Sequence, residues 1–177
     1  MNSGKVPEFN ELQHRIFALF YETSDLLLKC EDATYGEFGL SQQKFLVLMA
    51  IESSSTPHVK IIDVARKLKR NSNSISMIVD RMERDGLVER VRDVVDRRSV
   101  HLSLTKVGKE KLYQGSKVGW SLMVRLMACL SVEEMESLST LLEKIRVKAS
   151  EELNPDKPVS EIEKPDAKVV KRMLKGA

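Results

Sequence analysis

Four arginines, Arg90, Arg92, Arg97 and Arg98, gather in one short stretch of this chain, with Asp96 among them. A guanidinium is a planar fork of N–H donors that fits phosphate, and a narrow nucleic-acid groove focuses the negative potential that attracts it. Asp96 can orient a neighbouring arginine through a charge-assisted hydrogen bond. The alternative is a solvated turn held together by the same Asp96–arginine pairing. Some twenty residues earlier, Asn71-Ser72-Asn73-Ser74-Ile75-Ser76-Met77 concentrates short polar side chains. Asn can pair with both edge groups of adenine, Ser can donate or accept, and Met can pack on a thymine methyl.

The second group sits on a helix. At about 100° per residue, Ile75, Ile78, Val79 and Met82 share one face, which is expected to be buried. The opposite face carries Asn73, Met77, Asp80 and Arg84, flanked by Ser74, Ser76 and Arg81. A solvated helix would more often carry Glu and Lys there, because Ser and Asn are weaker helix formers. The alternative is an N-cap with spare polar residues. The predicted major-groove set is therefore Ser72, Asn73, Ser74, Ser76, Met77, Asp80, Arg81 and Arg84. Asp80 is out of place on a surface that meets phosphate, unless it pairs with Arg84 or with an arginine of the following hairpin. That hairpin contributes the predicted wing set Arg90, Arg92, Asp96, Arg97 and Arg98.

The elements that must position these residues are mostly helical. A first helix is expected from Pro7 to Lys29, with Phe9, Leu12, Ile16, Leu19 and Phe20 at helical spacing. It carries more apolar residues than a lone helix needs, which implies a partner. Residues 31–39 read as a loop. Ser41 caps a second helix, Ile61 to Leu68 forms a short third one, and Lys69 to Asn71 is a tight turn. The fourth helix starts at Asn71 or Ser72 and ends at Gly86, which suits the position just past a helix end. Leu87–Arg92 and Ser99–Leu104 read as strands, the second with Val100, Leu102 and Leu104 facing one way and Ser99, His101 and Ser103 the other.

Thr105 caps a fifth helix reaching about Ala128. On it Leu122, Met123, Leu126 and Met127 are expected to serve core or dimer packing rather than a ligand box, and Trp120 an interface. Ser131 and Glu134 form a capping box at the start of a sixth helix, whose buried stripe is expected to be Met135, Leu138, Leu141, Leu142 and Ile145. Beyond Leu153 the composition turns to Pro and charged residues, with a short amphipathic helix possible over Asp166–Leu174.

Composition supports this reading. Of 29 Lys/Arg and 26 Asp/Glu, residues 60–110 hold 13 and 8, so the positive excess sits in the helix-turn-helix stretch, as a footprint on phosphate requires. Cys30 and Cys129 belong to no metal-ligand or disulfide pattern, and Cys30 adjoins Glu31 and Asp32, which disfavour a thiolate. His14, His58 and His101 are scattered, so no metal is expected and no cofactor. No signal core or membrane-length apolar run is visible, which makes a cytoplasmic protein without membrane contact the expectation.

Order and residues together resemble the MarR family of winged-helix regulators. The resemblance rests on Leu40-Ser41-Gln42-Gln43-Lys44-Phe45-Leu46-Val47-Leu48 and on Asp80-Arg81-Met82-Glu83-Arg84-Asp85-Gly86-Leu87-Val88-Glu89-Arg90. It continues in Asp96-Arg97-Arg98, followed by Leu104-Thr105 and Gly108, and in Leu130-Ser131-Val132-Glu133-Glu134. It covers roughly Phe9 to Ala149. It implies a mainly α fold with a small antiparallel β-wing: a winged helix-turn-helix over 40–105, a helical dimerisation region over 7–30 and 106–150, and a charged tail over 153–177. The implied protein is a homodimer that grips a palindromic operator in double-stranded DNA, as a repressor that a small phenolic or lipophilic effector releases. By the same analogy Arg98 enters the minor groove, Asp96 orients it and Arg97 meets phosphate. The competing function is a winged-helix protein–protein adaptor. Catalysis is not expected, because no Gly-rich phosphate loop, HExxH or GxSxG stands in the chain.

Overall fold

The computed structural model describes residues 8–54, 56, 58–92 and 100–153. Its elements run α1 (Glu11–Gly36), α2 (Gln42–Glu52), α3 (Ile61–Lys67), α4 (Ser72–Arg84), β1 (Val88–Arg92), β2 (Val100–Leu104), α5 (Lys106–Met127) and α6 (Val132–Leu153). The fold is thus mainly helical with one two-stranded antiparallel sheet, as expected. In it Val88 pairs with Leu104 and Arg92 with Val100.

The core lies where α2, α3, α4 and the hairpin meet the first half of α5. Val47, Leu48, Val64, Ile75, Val79, Met82 and Val88 are almost fully buried there. Burying a side chain of this kind contributes on the order of 1.5–3 kcal/mol. Polar caps set the helix starts. Ser41 Oγ accepts from Lys44 N, Asn71 Oδ1 from Asn73 N, and Thr105 Oγ1 from Gly108 N. The capping box at Ser131 forms as read, with Glu134 N donating to Ser131 Oγ and Ser131 N to Glu134 Oε2.

Thr105 and Gly108 tie the wing to α5. The Thr105 hydroxyl donates to the Gly86 carbonyl at 2.6 Å, and its main-chain N–H to the Leu87 carbonyl at 3.2 Å. Gly108 lies so close to that strand entry that a Cβ on it would stand 1.9 Å from the Leu87 carbonyl oxygen. Gly86 ends α4 at φ 69°, a left-handed conformation open to glycine at little cost.

Four expectations differ from the structure. The first helix begins at Glu11, because the Asn10 side chain caps it by accepting from Gln13 N; Pro7 lies outside the described residues. The same helix continues through residues 31–36, where a loop was expected, since Tyr35 is buried and stacks on Phe45 at 4.5 Å. His101, which alternation sets on the face opposite Val100, Leu102 and Leu104, is buried beside His58, with ring centroids 4.6 Å apart, while Val100 is exposed. The cause is a third backbone segment: Val59 bridges to Leu102, whose N–H donates to the Val59 carbonyl at 2.7 Å. Finally, the apolar stripe of α6 is not buried within one chain; Leu141 is 56% exposed and no α6 residue is buried. It shares that exposure with Phe17, Leu19 and Leu26 on α1.

Candidate nucleic-acid interface

α4 presents the two faces that its periodicity requires. Ile75, Val79 and Met82 are buried behind it and Ile78 packs at the edge of the core. Asn73, Ser74, Met77, Asp80, Arg81 and Arg84 stand exposed on the other side, with Ser72 and Ser76 half-buried between. Met77 is 58% exposed, an apolar side chain held in water by its backbone position alone. At the helix start the Asn71 side chain accepts from Asn73 N, satisfying one of the N–H groups that a first turn leaves without an intrahelical partner.

Asp80 has a partner. Arg90 on β1 turns back onto α4, its Nη2 donating to Asp80 Oδ1 at 2.5 Å and its Nη1 to Glu83 Oε2. The Asp80 hydrogen bond, with Glu83 beside it, pushes the guanidinium pKa above its ordinary value. Of the two partners expected for Asp80, Arg84 or a hairpin arginine, the structure pairs its carboxylate with Arg90, while Arg84 Nε donates to the Asp80 main-chain carbonyl at 3.3 Å. Arg90, expected among residues offered to DNA, is therefore engaged within the domain. Glu83 was absent from the predicted site. Its signal was present: two carboxylates three residues apart face the same way on a helix, and an arginine follows on the adjoining strand.

Arg92 is exposed at the end of β1. Asp96, Arg97 and Arg98 lie outside the described residues, between the two strands that the structure pairs in register. At the end of α4, Lys44 of α2 binds Asp85 at 2.7 Å and holds that carboxyl below its usual range. Lys67 Nζ donates to Ser53 Oγ at 2.6 Å, tying α3 to the end of α2.

A second feature lies on the helical side. α1, α5 and α6 form a cleft of about 720 Å³, lined by Ile16, Phe20, Leu27, Glu31, Leu122 and Leu142 among others. Of the four α5 residues expected in packing, only Leu122 is buried; Met123, Leu126 and Met127 line the cleft with it. Trp120 is exposed, as are Cys129 and the rim of α5, and Cys30 is half-buried. Among the described residues no group of three or more His, Cys, Asp or Glu is placed to hold a metal. Nor is any described helix long and apolar enough to cross a membrane.

A helix-turn-helix with an exposed polar reading face and a hairpin braced against it defines the winged helix-turn-helix class. Residues 38–99 match the model of the MarR family. The transcriptional activatory protein BadR of Rhodopseudomonas palustris is 33% identical over 100 residues, which make up 56% of this chain and 57% of BadR. The chain thus spans less than two thirds of that relative. Among solved structures, the organohalide sensing RdhR transcriptional regulator in its ligand-free form superposes with a TM-score of 0.75 at 22% identity, over 94% of this chain and 96% of that one. The S. aureus MepR–DNA complex gives a TM-score of 0.65 at 21% identity, over 74% and 94%. At such identities these likenesses establish the fold.

Proposed function

We propose that this chain is a dimeric, sequence-specific double-stranded DNA-binding transcriptional regulator. The observation that carries the reading is the exposed face of α4, where Asn73, Ser74, Met77 and Arg81 stand beside a hairpin locked to the helix by Arg90. Such a face enters the major groove, short polar groups reaching base edges and the helix N-terminus meeting phosphate. The wing then falls on the adjacent minor groove, where Arg98 is the reading arginine, Asp96 its orienting partner, and Arg97 and Arg92 contact phosphate. The MepR complex with DNA supports the same use of the same fold.

Dimerisation follows from the apolar surface left open on α1 and α6. Phe17 is 62% and Leu141 56% exposed, and such contiguous apolar area on a single chain marks an interface. Two reading helices related by a two-fold axis require a palindromic operator, with half-sites about 34–36 Å apart. Where that operator overlaps a promoter the protein represses by blocking access. The name of RdhR as an organohalide sensing regulator supports release by a small molecule.

The test is a salt-titrated binding assay on the DNA upstream of the protein's own gene, with an unrelated fragment as control. A large margin over the control and a steep, linear fall of log affinity with log salt are expected. Equal, weak binding to both fragments and to a random-sequence pool overturns the reading and leaves the adaptor.

A further inference from the structure

We propose that Lys69 binds a backbone phosphate of the DNA, from a turn whose conformation the chain holds at a cost to its own stability. This contact, which rests on the regulator reading above, lies outside both the α4 face and the wing. Three helices of the chain close with the same pair of hydrogen bonds. After α1, Gly39 N donates to the Gly36 carbonyl and Leu40 N to the Tyr35 carbonyl; after α4, Gly86 N donates to the Glu83 carbonyl and Leu87 N to the Met82 carbonyl. After α3, Lys69 N donates to the Arg66 carbonyl at 3.1 Å and Arg70 N to the Ala65 carbonyl at 2.9 Å. Such a closure needs a left-handed residue, and φ is 71° at Gly39, 69° at Gly86 and 51° at Lys69. Lys69 is the one described residue other than glycine in that region. A lysine there brings its Cβ against the following carbonyl oxygen, a clash that glycine avoids.

Packing does not call for a lysine at this position. The Lys69 side chain is exposed and makes no hydrogen bond or ion pair among the described residues. Nor does the end of α3 lack a cation, since Arg66 and Lys67 already stand in its last turn. Those two are engaged within the domain, Arg66 with Asp63 at 3.3 Å and Lys67 with Ser53 at 2.6 Å. Lys69 and Arg70, both exposed, are the basic side chains of this turn left for a partner. Asn71, the cap of the reading helix α4, follows them directly. When that helix lies in the major groove, the turn before it runs along the phosphates at the groove's edge, where a lysine acts as a point charge without base preference. A strained residue kept beside a binding surface is accounted for by what its side chain meets there.

The experiment compares the native full chain with Lys69→Gly, Lys69→Gln and Lys69→Arg. Each is measured in urea unfolding and in salt-titrated binding to two duplexes, the DNA upstream of the gene and an unrelated fragment. Lys69→Gly is expected to raise the urea midpoint, because glycine relieves the left-handed strain, and yet to weaken DNA binding. Lys69→Gln removes the charge and keeps the strain, so it should weaken binding equally with no gain in stability. In both variants the slope of log affinity against log salt should be shallower by about 0.9 per protomer on either duplex. Between about 1 M and about 0.15 M salt that slope accumulates to roughly fivefold in affinity per protomer. Lys69→Arg should keep the native slope. A native slope in Lys69→Gly and Lys69→Gln overturns the proposal. So does a lower urea midpoint in Lys69→Gly, which would make the lysine a requirement of the fold, or a loss confined to the upstream fragment, which would make it a base contact. In each of these cases salt-dependent binding by the native chain leaves the regulator reading standing, whereas a native chain that binds neither duplex removes both.

Discussion

Replacing Arg90 by alanine removes the cation that joins the wing to the reading helix and leaves Asp80 and Glu83 facing each other one turn apart. The arginine side chain is 26% exposed, its partners more so, and both pairs are charge-assisted hydrogen bonds. Exposed ion pairs contribute about 0.2–1 kcal/mol each, and the partial shielding of this fork places it near the upper end. The loss of both pairs then costs about 1–2 kcal/mol, a fall of roughly 2–8 °C in melting temperature for a chain of this size. Added salt should shrink the difference between native and variant, because the Debye length drops to about 3 Å at 1 M. DNA binding gives the sharper readout. Each neutralised phosphate contributes about 0.9 to the slope of log affinity against log salt. Arg90→Ala should weaken operator binding with that slope unchanged, since its guanidinium is spent inside the domain, and Arg90→Lys should restore part of the affinity. A slope lower by about 0.9 per protomer, together with a native melting temperature, would refute this reasoning and return Arg90 to the phosphate contacts.

Arg98→Ala, by contrast, should cost about 1–3 kcal/mol of operator affinity; unchanged affinity in a titration removes it from the wing assignment. Asn73→Ala should weaken binding to the operator more than to random DNA, and equal losses on both would mean that Asn73 touches only the backbone. Gly108→Ala opposes two effects of known sign: helix propensity alone predicts a gain of about 1 kcal/mol. The 1.9 Å approach to the Leu87 carbonyl predicts a net loss of about 2 kcal/mol or more, read by urea unfolding. Burial, with Glu31 nearby, raises the Tyr35 hydroxyl to a pKa of about 12. The folded chain therefore keeps a proton that the unfolded chain loses near pH 10. Stability should fall by about 2 kcal/mol as pH rises from 10 to 12, and Tyr35→Phe should remove that part of the alkaline loss.

Much of the fold was legible because it is local. Asn71, Ser41, Thr105 and Ser131 cap the helices they precede, since a side-chain oxygen one turn from free N–H groups acts without any tertiary partner. The two faces of α4 followed from its period alone. Residues 31–36 were misread because what keeps them helical, Tyr35 stacking on Phe45, joins residues that no local pattern links. The burial of His101 has the same origin: strand alternation cannot anticipate the Val59 segment that bridges to the neighbouring Leu102.

By itself, then, the sequence determined the order of elements and the polar face of α4 from Asn73 to Arg84, both consequences of spacing along the chain. The tertiary structure decided which charges remain for a partner. It turned Arg90 onto Asp80 and Glu83 and left the α6 stripe uncovered. The reason is that a side chain's type states what it can bind, while its availability depends on neighbours brought close only by folding.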